Sequence, residues 1–251
     1  MREIIAVINQ KGGVGKSTTA AALGAGLILK GYRVLFIDLD AQGNLTFNMG
    51  AGSSALSSLE VLTGTARAGD AIRHTKQGDI IPASPALAGA DSLITATGKE
   101  YRLKEALEPL QGEYDYIVID TPPALGILTV NALTACTGAI VPAQADAWSL
   151  QGVVLLSQTV ETVRKYCNPA LKIKGIVLTR FNARSVLSRD MQELIAQTAA
   201  QLHTKLYKTA IRECTALKEA QAVQQDIYSY APRSNATADY KALVDEIIEE
   251  V

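Results

Sequence analysis

Residues 9–19 read NQKGGVGKSTT, and the three glycines at 12, 13 and 15 constrain this chain more than any other stretch. Glycine carries no Cβ, so the backbone N–H groups of Gly12, Gly13, Val14 and Gly15 are free to approach an anion closely. Before them, Glu3 to Ile8 (EIIAVI) reads as a buried strand. After them, Ser17 to Lys30 is rich in alanine and leucine and reads as a helix stopped by Gly31. A glycine turn between a strand and the positive end of a helix is a phosphate site. Lys16 is placed to meet β and γ phosphates, and Ser17, followed by Thr18, offers a hydroxyl to Mg²⁺. The plain alternative is a glycine-rich turn with a chance GKS, and the flanking strand and helix outweigh it. The spacing is nevertheless irregular: the usual G-x-x-x-x-G-K-[ST] needs a glycine where Gln10 stands, and a second lysine, Lys11, sits beside it.

Further apolar runs follow at intervals. Arg33 to Asp38 (RVLFID) and Tyr116 to Asp120 (YIVID) read as strong strands, Gly78 to Pro82 as a weaker one, and Ala139 to Pro142 and Ile173 to Thr179 as two more. Helical stretches near Ser149 to Tyr166 and Leu187 to Leu202 lie between them. Alternation of short strands with helices predicts an α/β chain, a mostly parallel twisted sheet with helices on both faces and ligand at the carboxyl ends of the strands. No repeat, low-complexity segment or linker divides residues 1–251, which are expected to form one domain. Gly50 to Ser58 (GAGSSALSS) is expected to be a flexible surface loop.

Three carboxylates accompany the strands. Asp38 and Asp40 follow VLFI, and Asp120 follows YIVI. A single aspartate at a strand end is often a turn former. Three beside a phosphate loop point instead to a metal–nucleotide site, in which such a carboxylate holds Mg²⁺ through water.

KGGVGKST at Lys11 to Thr18, DLDAQGN at Asp38 to Asn44 and IDTPP at Ile119 to Pro123 together resemble the deviant Walker-A ATPases of the ParA/MinD class, most closely the ParA (Soj-like) branch that partitions plasmids and chromosomes. IRECTALKEAQ at Ile211 to Gln221 and YAPRSN at Tyr230 to Asn235 extend the resemblance to nearly the whole chain. It implies a single P-loop NTPase domain that hydrolyses ATP to ADP and phosphate, weakly until a partner stimulates it. It also gives the second lysine a role: Lys11 would reach across a homodimer to ATP bound by the other subunit while Lys16 serves its own, with two ATP molecules sandwiched between the chains. Asp40 matches the residue that positions the attacking water, and Asp120 one that acts on Mg²⁺, so Ser17, Asp40 and Asp120 are the metal candidates. Arg212 lies in the segment that lines the base. Ala41 stands where relatives carry proline.

Net charge is only −1, yet residues 164–218 hold 11 Lys/Arg against Asp190, Glu193 and Glu213. A basic stretch is ordinarily a solvated face. With the resemblance it implies phosphate-directed, nonspecific binding of double-stranded DNA through the C-terminal part of the chain, with Lys205, Lys208, Lys218 and Arg233 as candidates. Ser229 stands where relatives often place an arginine. A ParB-like centromere-binding protein is the implied partner; the alternative is a MinD-like ATPase positioning a protein assembly. The acidic ending DEIIEEV disfavours a membrane. No 18-residue apolar run, signal peptide or preceding DNA-reading helix-turn-helix is expected, and three well-separated cysteines fit a reducing cytoplasm, with association to the nucleoid. Two readings from other classes are weaker: an iron–sulfur carrier would need more than Cys136 near the dimer axis, and a tyrosine kinase would need a richer tail than Tyr228, Tyr230 and Tyr240.

Overall fold

The computed structural model describes residues 3–249. Seven strands form one sheet: β1 (Glu3–Val7), β2 (Val34–Asp38), β3 (Arg73–Thr75), β4 (Gly78–Ile81), β5 (Tyr116–Asp120), β6 (Gly138–Ala143) and β7 (Lys172–Leu178). Their order is β3-β4-β2-β5-β1-β6-β7, and every pairing is parallel except β3 with β4. The helices in chain order are α1 (Lys16–Leu29), α2 (Asn44–Asn48), α3 (Ser58–Thr63), α4 (Ala68–Ala71), α5 (Ala90–Leu93), α6 (Arg102–Leu107), α7 (Ile127–Ala135), α8 (Ala147–Tyr166), α9 (Val186–Gln201), α10 (Thr215–Ala222), α11 (Ile227–Tyr230) and α12 (Asn235–Ile248).

Strand side chains alternate between two cores because successive Cβ atoms point to opposite faces. Ala6, Leu35, Ile37, Ile117 and Ile119 join one core with residues of α3, α6, α7 and α8. Ile5, Val7, Phe36, Tyr116 and Val118 join the other with α1 and α12. Both faces are covered, which is why these strands read as continuous apolar runs. Gly24 lets α1 lie close to the sheet: a Cβ built there would stand 2.1 Å from Cε1 of Phe36.

β1 lies between β5 and β6, so the chain leaves the sheet centre in opposite directions and a crevice opens at the carboxyl ends. The far edge of β7 is covered by the segment after α9, which bridges it at Ile176 to Leu206 and bridges the turn beyond it at Phe181 to Arg212. The loop expected over Gly50 to Ser58 needs correction at its end. Ser57 and Ser58 are buried. Ser57 caps α3 in a capping box with Glu60, and the Ser58 hydroxyl donates to the Asp38 carbonyl at 2.7 Å.

Candidate active site

The phosphate loop ends at Gly15, whose φ of 87° only glycine adopts without strain, and α1 begins at the next residue. Gly12, Gly13, Gly15, Lys16, Ser17 and Thr18 line a cleft of about 580 Å³. Asp40, Phe47, Asn48, Arg180 and Lys218 form its further walls. Burial lowers the Lys16 ammonium from its ordinary range, while Asp120 and then Asp40 pull it back.

Asp120 ends β5 and is completely buried, and neither carboxylate oxygen has a hydrogen-bond partner among the described residues. Burial, and then neighbouring Asp38, hold its proton well above the carboxylate range. An unpartnered carboxylate in such a place is costly unless a cation or its water shell completes it. Among the described residues no three His, Cys, Asp or Glu side chains converge on a metal. Ser17, Asp40 and Asp120 are the side chains here that could hold a Mg²⁺ brought in with a nucleotide, whose phosphates would supply the remaining oxygens.

The three aspartates divide their work. Asp38 is a brace: its carboxylate accepts from Thr46 N at 2.8 Å, Thr46 Oγ1 at 2.7 Å and Asp40 N at 3.0 Å. Burial still raises its carboxyl to about 6. Asp38 thus binds the loop that carries Asp40 and is satisfied by the protein, which sets it apart from the metal candidates Asp40 and Asp120. Asp40 stands two residues beyond the end of β2 rather than at it, accepts from Gln42 N at 3.0 Å, and lines the cleft.

Lys11 turns out of the cleft that Lys16 serves. Its Nζ donates to Asp146 at 2.6 Å, Gln144 at 3.3 Å and Ser149 at 3.4 Å. Asp146 is also the N-cap of α8. Burial would raise the Asp146 carboxyl, but Lys11 and the Ser149 N–H outweigh it and hold it low. Gly152 packs α8 against Asn9, where a Cβ would meet Oδ1 at 3.4 Å.

A second cavity of about 80 Å³ adjoins the cleft and is walled by Val14, Thr179, Ile211, Arg212, Cys214 and Leu217. Arg212 also grips Asp239 of α12 at 2.6 Å. Lys218, proposed from sequence as a DNA contact, lines both cavities. Lys205, Lys208 and Arg233 are exposed. Lys205 and Lys208 lie beside β7, with Lys205 Nζ over the Tyr207 ring at 4.7 Å, whereas Arg233 precedes α12. The basic stretch is thus not one surface: Lys174 is partly buried and pairs with Glu3, Arg164 pairs with Glu161, and Arg212 with Asp239.

Cys136 is buried and its thiol is pushed up to about 12, as befits a packing residue rather than an iron ligand. Tyr228 and Tyr240 are buried too, with hydroxyls spent on Ala22 and Thr19. Sequence reasoning missed Arg180, Asp146 and Gln144. None lies in a motif, and only Arg180 carried a signal, a cation just past an apolar strand.

A family profile described as an AAA domain matches residues 2–173. The sporulation initiation inhibitor protein Soj of Bacillus subtilis is 40% identical over 252 residues, spanning 98% of each chain. The chain belongs to the ParA/Soj family of partition ATPases. A second ParA/Soj relative, the chromosome partitioning protein ParA of Caulobacter vibrioides, is 37% identical over 98% of this chain and 93% of its own. Among solved structures, a Mycobacterium smegmatis protein named cobyrinic acid a,c-diamide synthase, with bound ADP and magnesium, aligns at a TM-score of 0.86 and 35% identity, covering 100% of this chain and 95% of that one. The ParA/Soj assignment carries the P-loop α/β architecture with it. Among the described residues no helix is long and apolar enough to cross a membrane.

Proposed function

We propose that this chain is a cytoplasmic, nucleoid-associated ATPase that binds Mg–ATP, dimerises around two ATP molecules, binds DNA without sequence preference and drives partition with a ParB-like partner. The observation that carries this reading is the pair of phosphate-loop lysines with divided duties: Lys16 lines its own cleft, whereas Lys11 does not and is held on Asp146.

The loop N–H groups and Lys16 would bind and orient the triphosphate. Mg²⁺, when bound, neutralises charge on the terminal phosphates. Ser17 would hold it directly and Asp120 through water. Asp40, whose backbone N–H is held by the Thr46-braced Asp38, would position the attacking water. Lys11 must leave Asp146 before it can meet a phosphate across the interface. Because that second partner exists only when both clefts hold triphosphate, dimerisation reports the nucleotide state. Arg212 would flank the base. One domain over residues 1–251 fits the continuous sheet and its two cores.

The test is Lys11→Ala. The variant is expected to bind ATP nearly as well as the unaltered chain, because Lys16 and the loop remain, yet to stay monomeric by light scattering with a non-hydrolysable ATP analogue. Dimerisation of the variant would remove Lys11 from this role. Cargo positioning on a protein assembly instead of DNA remains the reading to adopt if a verified ATP dimer ignores DNA.

A further inference from the structure

Arg180 has a left-handed backbone, with φ of 49°, although it is neither glycine nor asparagine. Such a conformation persists in a bulky residue only where its surroundings impose it, and it gathers at ligand sites. Here both neighbours are pinned. Thr179 donates its N–H to the Ala143 carbonyl and its hydroxyl to the Val14 carbonyl of the phosphate loop, each at 2.8 Å. Phe181 donates its N–H to the Ile211 carbonyl at 2.9 Å, and Ile211 donates back to Leu178 at 2.7 Å. The chain between the phosphate loop and the Ile211 segment is therefore fixed from both sides, and the turn directs Arg180 to the seam between the main cleft and the smaller cavity, both of which it lines. Among the described residues its guanidinium has neither an ion-pair partner nor a hydrogen-bond partner, unlike Arg33, Arg67, Arg164 and Arg212.

The two ends of the cleft differ in chemistry. The phosphate end already has the loop N–H groups, the start of α1 and Lys16. The smaller cavity sets Val14, Ile211 and Leu217 beside the polar Arg212, Glu213 and Gln221, a mixed lining that suits a flat heteroaromatic ring with hydrogen-bonding edges. A guanidinium at its mouth is planar, weakly hydrated and stacks on π faces.

We infer that Arg180 is a specificity-determining residue that closes over the face of the nucleobase in the smaller cavity and makes the site prefer purine nucleotides. This rests on the nucleotide reading above. The positive φ is then the conformation that aims the side chain, and a glycine would adopt it more easily while lacking the clamp.

The experiment is calorimetric titration of the unaltered chain and of Arg180→Ala, Arg180→Lys and Arg180→Gly with ADP, CDP and inorganic tripolyphosphate, all with Mg²⁺. ADP is used because it needs no second subunit. Arg180→Ala is expected to lose about tenfold in affinity for ADP, the scale of a desolvated cation–π contact, with tripolyphosphate unchanged and the ADP over CDP preference largely gone. Arg180→Lys keeps the charge without the planar group and should resemble Arg180→Ala. Arg180→Gly should melt at or above the unaltered chain and still lose the purine preference, which separates recognition from folding. Equal weakening toward ADP and tripolyphosphate would make Arg180 a phosphate ligand and overturn the inference, as would unchanged affinities in Arg180→Gly. Failure of the unaltered chain to bind ADP would instead bring down the nucleotide reading itself, and this inference with it.

Discussion

At the scale of single residues, Asp120 is where stability and function oppose each other. Its carboxylate is buried with no hydrogen bond of good geometry, and its proton is held well above the ordinary value of 3.8 by burial and by Asp38, against the weaker pull of Ser17 and Lys16. A raised carboxyl means that the folded chain binds more protons than the unfolded one once pH passes the unfolded value, so stability falls as pH rises through that window. Asp38 adds a similar loss between its unfolded value of 3.8 and about 6. Asp120→Asn removes the first contribution. Without nucleotide, the variant should melt higher than the unaltered chain at pH 7, by on the order of 1–3 kcal/mol, and the two should converge toward pH 4. Thermal melts across that range check it, and a variant that melts lower at pH 7 contradicts the assignment. If Asp120 serves the metal as proposed, the order should reverse with Mg–ATP, because the amide offers no anionic oxygen. The sequence made Asp120 legible as a strand-end carboxylate. It did not separate Asp38 from Asp40, since their roles depend on Thr46, eight residues beyond Asp38, folding back onto one and not the other.

At the scale of elements, α1 couples the phosphate loop to the sheet through the flat contact at Gly24. Gly24→Ala would gain helix propensity of about 1 kcal/mol, yet its methyl would collide with the buried Phe36 ring. Overpacking of this kind costs about 1–3 kcal/mol, so net destabilisation is expected in urea unfolding, together with weaker ATP binding as α1 shifts the loop. An unchanged midpoint would mean that Phe36 moves aside freely. Strands β1, β2 and β5 were legible because both faces are buried and their sequences are unbroken apolar runs. β3 was not: Arg73, His74 and Thr75 form an edge of polar residues without alternation. α7 escaped for the opposite reason, since eight of its residues are buried and no polar face marks a helical period. α12 escaped as well, although Ser234 caps it and Tyr240, Leu243, Val244 and Ile247 form a regular buried stripe against α1.

At the scale of the whole molecule, the charge that sequence groups between residues 164 and 218 is dispersed by folding into ion pairs, cleft wall and exposed cations. A monomer therefore presents few phosphate contacts, and a dimer doubles them, each steepening the salt dependence. DNA binding should appear only with ATP, fall sharply from low to moderate salt, and not differ between two unrelated duplexes in fluorescence polarisation. Lys205→Glu with Lys208→Glu should weaken it while leaving the dimer intact; Lys218 is spared because it lines the nucleotide cleft. Binding of equal strength without nucleotide would sink this. The covered edge of β7 has its own consequence. Binding to DNA as proposed would concentrate many copies of the chain on one surface, where an open strand would template sheet-to-sheet growth between neighbours. The bridges from Ile176 to Leu206 and from Phe181 to Arg212 close one border, and the opposite border is a three-residue strand carrying exposed Arg73 and His74. If the molecules crowd on one surface as proposed, these two borders of the described residues offer no long open strand for sheet-to-sheet growth, so neighbours should stay free to part again.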